Sequence, residues 1–155
     1  MAGSKKFHAQ MTSNLNMLLG NYLADKPCSV YIADMKIRIE TANCYYYPDI
    51  SVTCDKKDIE INNDFIVAPK LIIEVLSKST EQFDRTDKFL DYQQISSLQE
   101  YILVSQDKIQ VECYIKQYDG QWKIQYYGSG DIVEVTSIGL KCPIEQIYNK
   151  VHDLG

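Results

Sequence analysis

The chain lacks the long apolar run, the basic cluster and the paired cysteines that would each have pointed to a class of protein. No stretch of its 155 residues approaches the ~18 consecutive apolar residues that a membrane span needs. Lys and Arg number 16 against 21 Asp and Glu, a net charge of -5, and the basic residues are dispersed, so no cationic stripe announces a nucleic acid as partner. A local cleft can still be basic on an acidic chain. The five cysteines, Cys28, Cys44, Cys54, Cys113 and Cys142, lie far apart without a C-x-x-C pair, and their number is odd. They read as reduced thiols in a cytosolic protein, mostly core residues. His8 and His152 have no companions at metal-ligand spacing and read as structural or exposed. Lys5 and Lys6 lead into an amphipathic segment rather than an apolar one, which is not the pattern of a secretory signal. Repeats, linkers and low-complexity tracts are missing as well. The length suits one domain with a single sizeable core, residues 1–155, and the expectation is a soluble cytoplasmic protein.

What is present reads as mixed α and β around one sheet. Phe7, Met11, Leu15, Leu18, Leu19 and Tyr22 recur at helical spacing from Phe7 to Leu23, with Ser4 before them at a capping position. Asp25-Lys26-Pro27 ends this helix. Cys28 to Tyr31 and Met35 to Glu40 read as strands, and Tyr45 to Cys54 as a third that puts Tyr45, Tyr47, Asp49 and Ser51 on one face. Asp55 to Asp64 is a charged connection. Lys70 to Leu76 is nearly continuous in apolar residues, as a strand covered on both faces should be. A second helix is expected from about Glu81 to Ile95, and a central strand from Glu100 to Ser105. Beyond Asp107 the pattern becomes a meander: Ile109 to Tyr118, a turn at Asp119-Gly120, Trp122 to Tyr127, a turn at Gly128-Ser129-Gly130, and Ile132 to Val135. Ile144 to Val151 closes the chain as a helix or helical turn.

The informative residue is Glu74, a carboxylate at the centre of Leu71-Ile72-Ile73-Glu74-Val75-Leu76. Ionised between Ile and Val, it costs several kcal/mol to desolvate unless a cation, metal or proton compensates it. Asp49, 25 positions earlier, follows Pro48 on a strand that can neighbour Glu74's in one sheet. Two such carboxylates suffice for magnesium, which takes oxygen ligands in near-octahedral geometry and keeps several waters. A metal there would bind a phosphodiester oxygen and lower the pKa of an attacking water. The natural place for an assisting cation is position 76, on the same face as Glu74, but it holds Leu76. Lys88, two turns into the following helix with Asp84 one turn before it, is the closest substitute.

Tyr47-Pro48-Asp49, the strand Leu71 to Ser77, Ser79-Thr80 through Asp84-Arg85 to Lys88, Tyr92, and Glu100-Tyr101-Ile102-Leu103-Val104 together resemble the Uma-two family. This is a bacterial family of endonuclease candidates, long classed as a domain of unknown function, within the PD-(D/E)XK restriction-endonuclease-like superfamily. The resemblance runs from Gly3 to about Tyr118. It implies an α/β restriction-endonuclease-like core, a central mixed sheet flanked by helices, followed here by a C-terminal β-meander. It also implies a Mg2+- or Mn2+-dependent endonuclease acting on DNA. Asp49 and Glu74 would hold the metal, and Lys88 would supply from the helix the lysine that the superfamily motif carries two residues after the acid. Asp84 and Arg85 would support the site, and Ile73 and Val75 would offer backbone carbonyls at most. Family members also have a segment before the first helix, with strands and an acidic residue near the site; this chain is expected to lack it.

Each of these residues also has a structural reading. Asp49 can bond nearby backbone amides, Glu74 can form an ion pair with Lys88 or Arg85, and Lys88 with Asp84 fits an ordinary surface i,i+4 pair. The twelve tyrosines, three of them consecutive at Tyr45-Tyr46-Tyr47, suit packing on half-buried strands as well as stacking on unpaired bases. The alternative function is therefore a catalytically inactive, oligomeric interaction module. A metal hydrolase of a smaller phosphoester is a third reading. Unpaired edges in the late meander suggest a homodimer.

Overall fold

The computed structural model describes residues 2–152, with side chains from residue 5 onward. From the amino end the chain forms α1 (Ala2–Leu23), β1 (Ser29–Ile32), β2 (Lys36–Ile39), β3 (Cys44–Tyr46), β4 (Ile50–Thr53), α2 (Lys56–Glu60), β5 (Phe65–Ile66) and β6 (Pro69–Val75). Then come α3 (Glu81–Arg85), α4 (Asp87–Tyr92), β7 (Glu100–Val104), β8 (Gln110–Lys116), β9 (Trp122–Gly128), β10 (Ile132–Val135), β11 (Leu140–Pro143) and α5 (Ile144–Ile147). The helix begins before Ser4, so Ser4 is not at its cap; the Ser4 side chain lies outside the described residues.

Six strands form the main sheet in the order β1-β4-β6-β7-β8-β9. Only β6 and β7 run parallel, and the chain between them is the α3–α4 crossover, as a parallel pair requires. Because side chains alternate across a strand, β6 serves two cores. Leu71, Ile73 and Val75 pack with Met11, Leu15 and Leu19 of α1, while Ile72 and Leu76 pack with Phe89 and Tyr92 of α4. Glu74 points to the second side.

Two expected elements are divided and a third is shorter than expected. The strand expected from Tyr45 to Cys54 is two strands in different sheets: β3 pairs with β2, and β4 pairs with β1 and β6. Pro48 separates them, since it has no N–H to give a ladder and disfavours helical backbone before it. The helix expected from Glu81 to Ile95 breaks at Thr86, whose φ of -117° and ψ of -96° fit no helix. The closing helix is only α5, and β11, which the sequence reading missed, pairs with β10 to form a separate hairpin. The charged connection holds the short helix α2, capped by the Asp55 side chain on the Lys57 N–H.

One cysteine assignment is corrected. Cys28 and Cys54, expected as reduced thiols, form a disulfide with Cα atoms 4.1 Å apart. Ser29 pairs with Thr53 across β1 and β4, so the two preceding and following cysteines are set side by side. Cys44, Cys113 and Cys142 are free thiols. No described helix is long and apolar enough to cross a membrane.

Candidate metal centre

The main sheet brings the two acids together. Ile50 pairs with Ile73 across β4 and β6, so Asp49, one residue before β4, falls beside Glu74. Each carboxylate then grips the other's strand. The Asp49 N–H donates to Glu74 Oε1 at 3.0 Å, and the Val75 N–H donates to Asp49 Oδ2 at 2.7 Å. The structural reading of Asp49, a bond to a nearby amide, is therefore present together with the pairing to Glu74. Glu74 is 3 % exposed. Its Oε2 has no aligned hydrogen-bond donor among the described residues; what faces it is the Lys88 ammonium, with Nζ 2.5 Å away. Lys88 Nζ also lies 3.4 Å from Asp84 Oδ1, and all three side chains are largely buried, so this is no surface i,i+4 pair. The Asp84 carbonyl accepts a hydrogen bond from Tyr101 Oη at 2.9 Å, which fixes the last turn of α3 onto β7.

Arg85 takes a different partner. Its guanidinium pairs with Glu112 on β8 and reaches toward Glu81 at 3.8 Å. Glu112 sits opposite Leu103, which sits opposite Glu74, so the arginine stands two strands along the sheet from the acid pair.

The sequence reading missed His8. From α1 its Nε2 lies 3.1 Å from Asp49 Oδ1, so the histidine read as structural or exposed touches one of the two candidate ligands. Its spacing to Met11 and Leu15 on the buried helix face was the available signal. Glu112 was missed as well; a lone acid between Val111 and Cys113 repeats the pattern of Glu74 in a neighbouring strand.

Burial drives the electrostatics. It pushes the Glu74 carboxyl above its ordinary value, with the Asp49 charge adding and Lys88 opposing. Asp84 is raised by its burial too. Burial pulls the Lys88 ammonium down, but Glu74 and Asp84 more than offset this, and it ends above its usual value. His8 is raised chiefly by its hydrogen bond to Asp49, against a smaller effect of burial. An expected result follows: the His8 ring, followed by NMR, titrates above 6.5 in the native chain and moves down in Asp49→Asn. An unchanged titration would show that the contact is not made in solution.

The donor set fits a hard divalent cation. Glu74 and Asp84 face Lys88, and Asp49, held by His8, lies beside Glu74, so carboxylate oxygens of two chain segments converge on one buried spot. No group of three or more His, Cys, Asp or Glu side chains is assembled at metal-binding geometry among the described residues. The fit is to an ion that two carboxylates hold and waters complete.

The family model described as "Putative restriction endonuclease", Uma2, matches residues 1–145. The chain belongs to the Uma2 family. Two uncharacterised proteins of Synechocystis sp. are similar to it. One is 40% identical over 148 residues, covering 96% of this chain and 77% of that protein. The other is 37% identical over 123 residues, covering 79% and 70%. A solved structure described as a "putative nuclease belonging to DUF820" from Anabaena variabilis superposes with a TM-score of 0.76 at 19% identity. The match covers 94% of this chain and 82% of that one. The Uma2 chain thus has the restriction-endonuclease-like α/β fold: a mixed sheet flanked by helices, with Asp49 at the entry to β4 and Glu74 on the adjacent strand β6.

Proposed function

We propose that this Uma2 protein is a magnesium- or manganese-dependent endonuclease that hydrolyses DNA phosphodiester bonds at Asp49 and Glu74. The observation that carries the reading is a carboxylate buried in the middle of β6, Glu74, with a second, Asp49, beside it at the entry to β4 and its N–H donating to Glu74 Oε1. The family description and the nuclease of like fold support the same class of chemistry. A divalent cation bound to the two carboxylates supplies Lewis-acid activation of water and of the phosphoryl oxygen.

The chain's own residues do the rest. Val75 N–H and His8 hold the Asp49 carboxylate in one orientation, and the Asp49 N–H holds that of Glu74. Lys88, raised in pKa and so charged at neutral pH, acts as a donor to a water or phosphate oxygen and as a counter-charge, not as a general base. Asp84 keeps the ammonium at the site, and Arg85, anchored by Glu112, offers positive charge toward a flanking phosphate.

The test is incubation of the purified protein with supercoiled plasmid at low salt, with and without each metal. Nicking that needs the metal supports the reading. The second reading, a non-enzymatic interaction module, is favoured by one observation: Lys88 already neutralises Glu74 with no metal. It is the conclusion if neither nicking nor a metal-induced rise in melting temperature occurs.

The partners under this proposal are DNA and a second copy of the chain. Strand β9 ends the main sheet, pairs only with β8 among the described residues, and exposes Ile124 and Tyr126. Such an edge invites pairing with its own copy. Sedimentation should give a dimer that Ile124→Lys converts to monomer; a monomeric native protein would remove this part of the proposal.

A further inference from the structure

The small sheet β3-β2-β5 has two unlike faces. Inward, Ile37, Ile39 and Ile66 are buried against Ile72 and Tyr92. Outward, Lys36 and Arg38 of β2 alternate with those residues, and the register sets Arg38 opposite Tyr45 and Lys36 opposite Phe65. The outer side chains form one layer. The Tyr45 and Phe65 rings meet edge to face with centroids 6.4 Å apart; Lys36 Nζ lies 4.9 Å from the Tyr45 centroid, and Arg38 Cζ 5.5 Å from that of Phe65. Tyr45 is 47% exposed, and Tyr47, one residue past the end of β3, is 56% exposed. Among the described residues, the one acid paired with these cations is Glu40, at a loose 4.0 Å from Arg38.

The chain that carries this layer runs directly into Asp49: Tyr47 and Asp49 are two residues apart, so their Cα atoms are within about 7 Å.

We propose that the outer face of β2–β3 docks unpaired nucleotides of DNA, their bases on Tyr45 and Tyr47 and their phosphates on Lys36 and Arg38. The proposal rests on the endonuclease reading and narrows its substrate to DNA with a single-stranded stretch beside the scissile bond. Charge decides between single strand and duplex. Duplex affinity comes mainly from many Lys and Arg contacts to phosphate, and a chain of net charge -5 with two cations on this face cannot supply them. Exposed rings flanked by a few cations suit bases that are already unstacked, since every base offers a π-face.

The test uses fluorescein-labelled 20-nucleotide oligothymidylate, the matching oligouridylate and a 20-base-pair duplex, titrated by anisotropy in EDTA at 50 mM salt. The proteins are the native chain, the double variant Tyr45→Leu with Tyr47→Leu, and Lys36→Gln with Arg38→Gln. All four substituted residues on this face are exposed or half-buried, so circular dichroism and melting temperature should match the native chain and report any misfolding. Expected is binding of oligothymidylate about tenfold tighter than duplex, a loss of about tenfold or more in the tyrosine variant, and a weaker salt dependence in the Lys36/Arg38 variant. Equal affinity for duplex, no loss in the tyrosine variant, or tighter binding of oligouridylate would overturn the proposal. Retained nicking with no single-strand preference sinks this inference and leaves the nuclease reading standing. Single-strand binding lost with Tyr45 and Tyr47, but without nicking, supports the docking face and sinks the nuclease.

Discussion

Under the proposed mechanism Glu74→Gln is expected to remove metal-dependent plasmid nicking, by roughly a thousandfold, because a metal held at the acid pair would supply several kcal/mol of transition-state stabilisation. Gln keeps the shape and still accepts the Asp49 N–H that Glu74 Oε1 accepts at 3.0 Å. Burial already opposes the charge on Glu74, so the neutral side chain relieves one cost while leaving Lys88 with Asp84 alone. These effects oppose each other, and without metal the melting temperature should move by only a few degrees, about 1 kcal/mol in a chain of this size. The rise in melting temperature on adding magnesium should vanish with the activity. Undiminished nicking by the Gln variant would take Glu74 out of the mechanism.

The second large effect is in Lys88→Met, and it is one of stability against pH. Glu74's folded pKa is raised above 4.5, so its contribution to stability is present below 4.5 and is lost as the pH rises through the folded value. In the native chain Lys88 opposes that loss by pairing with the ionised acid. With Met at 88 the cation that holds Glu74 down is gone, its folded pKa rises further, and the variant is only mildly destabilised near pH 6. Towards pH 9 the buried acid must either stay protonated against the solvent pH or ionise without its cation, which costs about 3–5 kcal/mol relative to the native chain, or roughly 10 °C in melting temperature. Thermal melts of the native chain and the variant at both pH values make the comparison. A gap that is the same at pH 6 and pH 9 would mean that the ion pair is not what steadies Glu74.

The acid pair was legible in the sequence because an ionisable residue inside an apolar strand is costly, and that cost is local. Glu74 and Asp49 needed only the strand pattern around them and the guess that their strands adjoin. His8 was not legible in the same way: its meeting with Asp49 depends on how α1 crosses the end of the sheet, and residues 8 and 49 share no element. The same holds for Arg85, whose partner Glu112 is fixed by the register of β7 and β8. The strand read as Tyr45 to Cys54 and the helix read as Glu81 to Ile95 failed at single residues. Period alone carries a pattern across Pro48 and Thr86, although the backbone there turns to a different sheet or restarts a helix. The cysteine pair was hidden by the β2–β3 excursion, which separates in sequence two strands that are neighbours in space.

That excursion has a consequence for how the molecule can come apart. Edge strands open first in a sheet, and β1 is an edge. The bond between Cys28 and Cys54 turns residues 28 to 54 into a closed ring of chain, with β2, β3 and Asp49 threaded on it. When β1 peels away, its root cannot travel. The outer face of β2–β3 and Asp49 therefore stay tethered to the inner strand β4, and the frayed edge has only one way back.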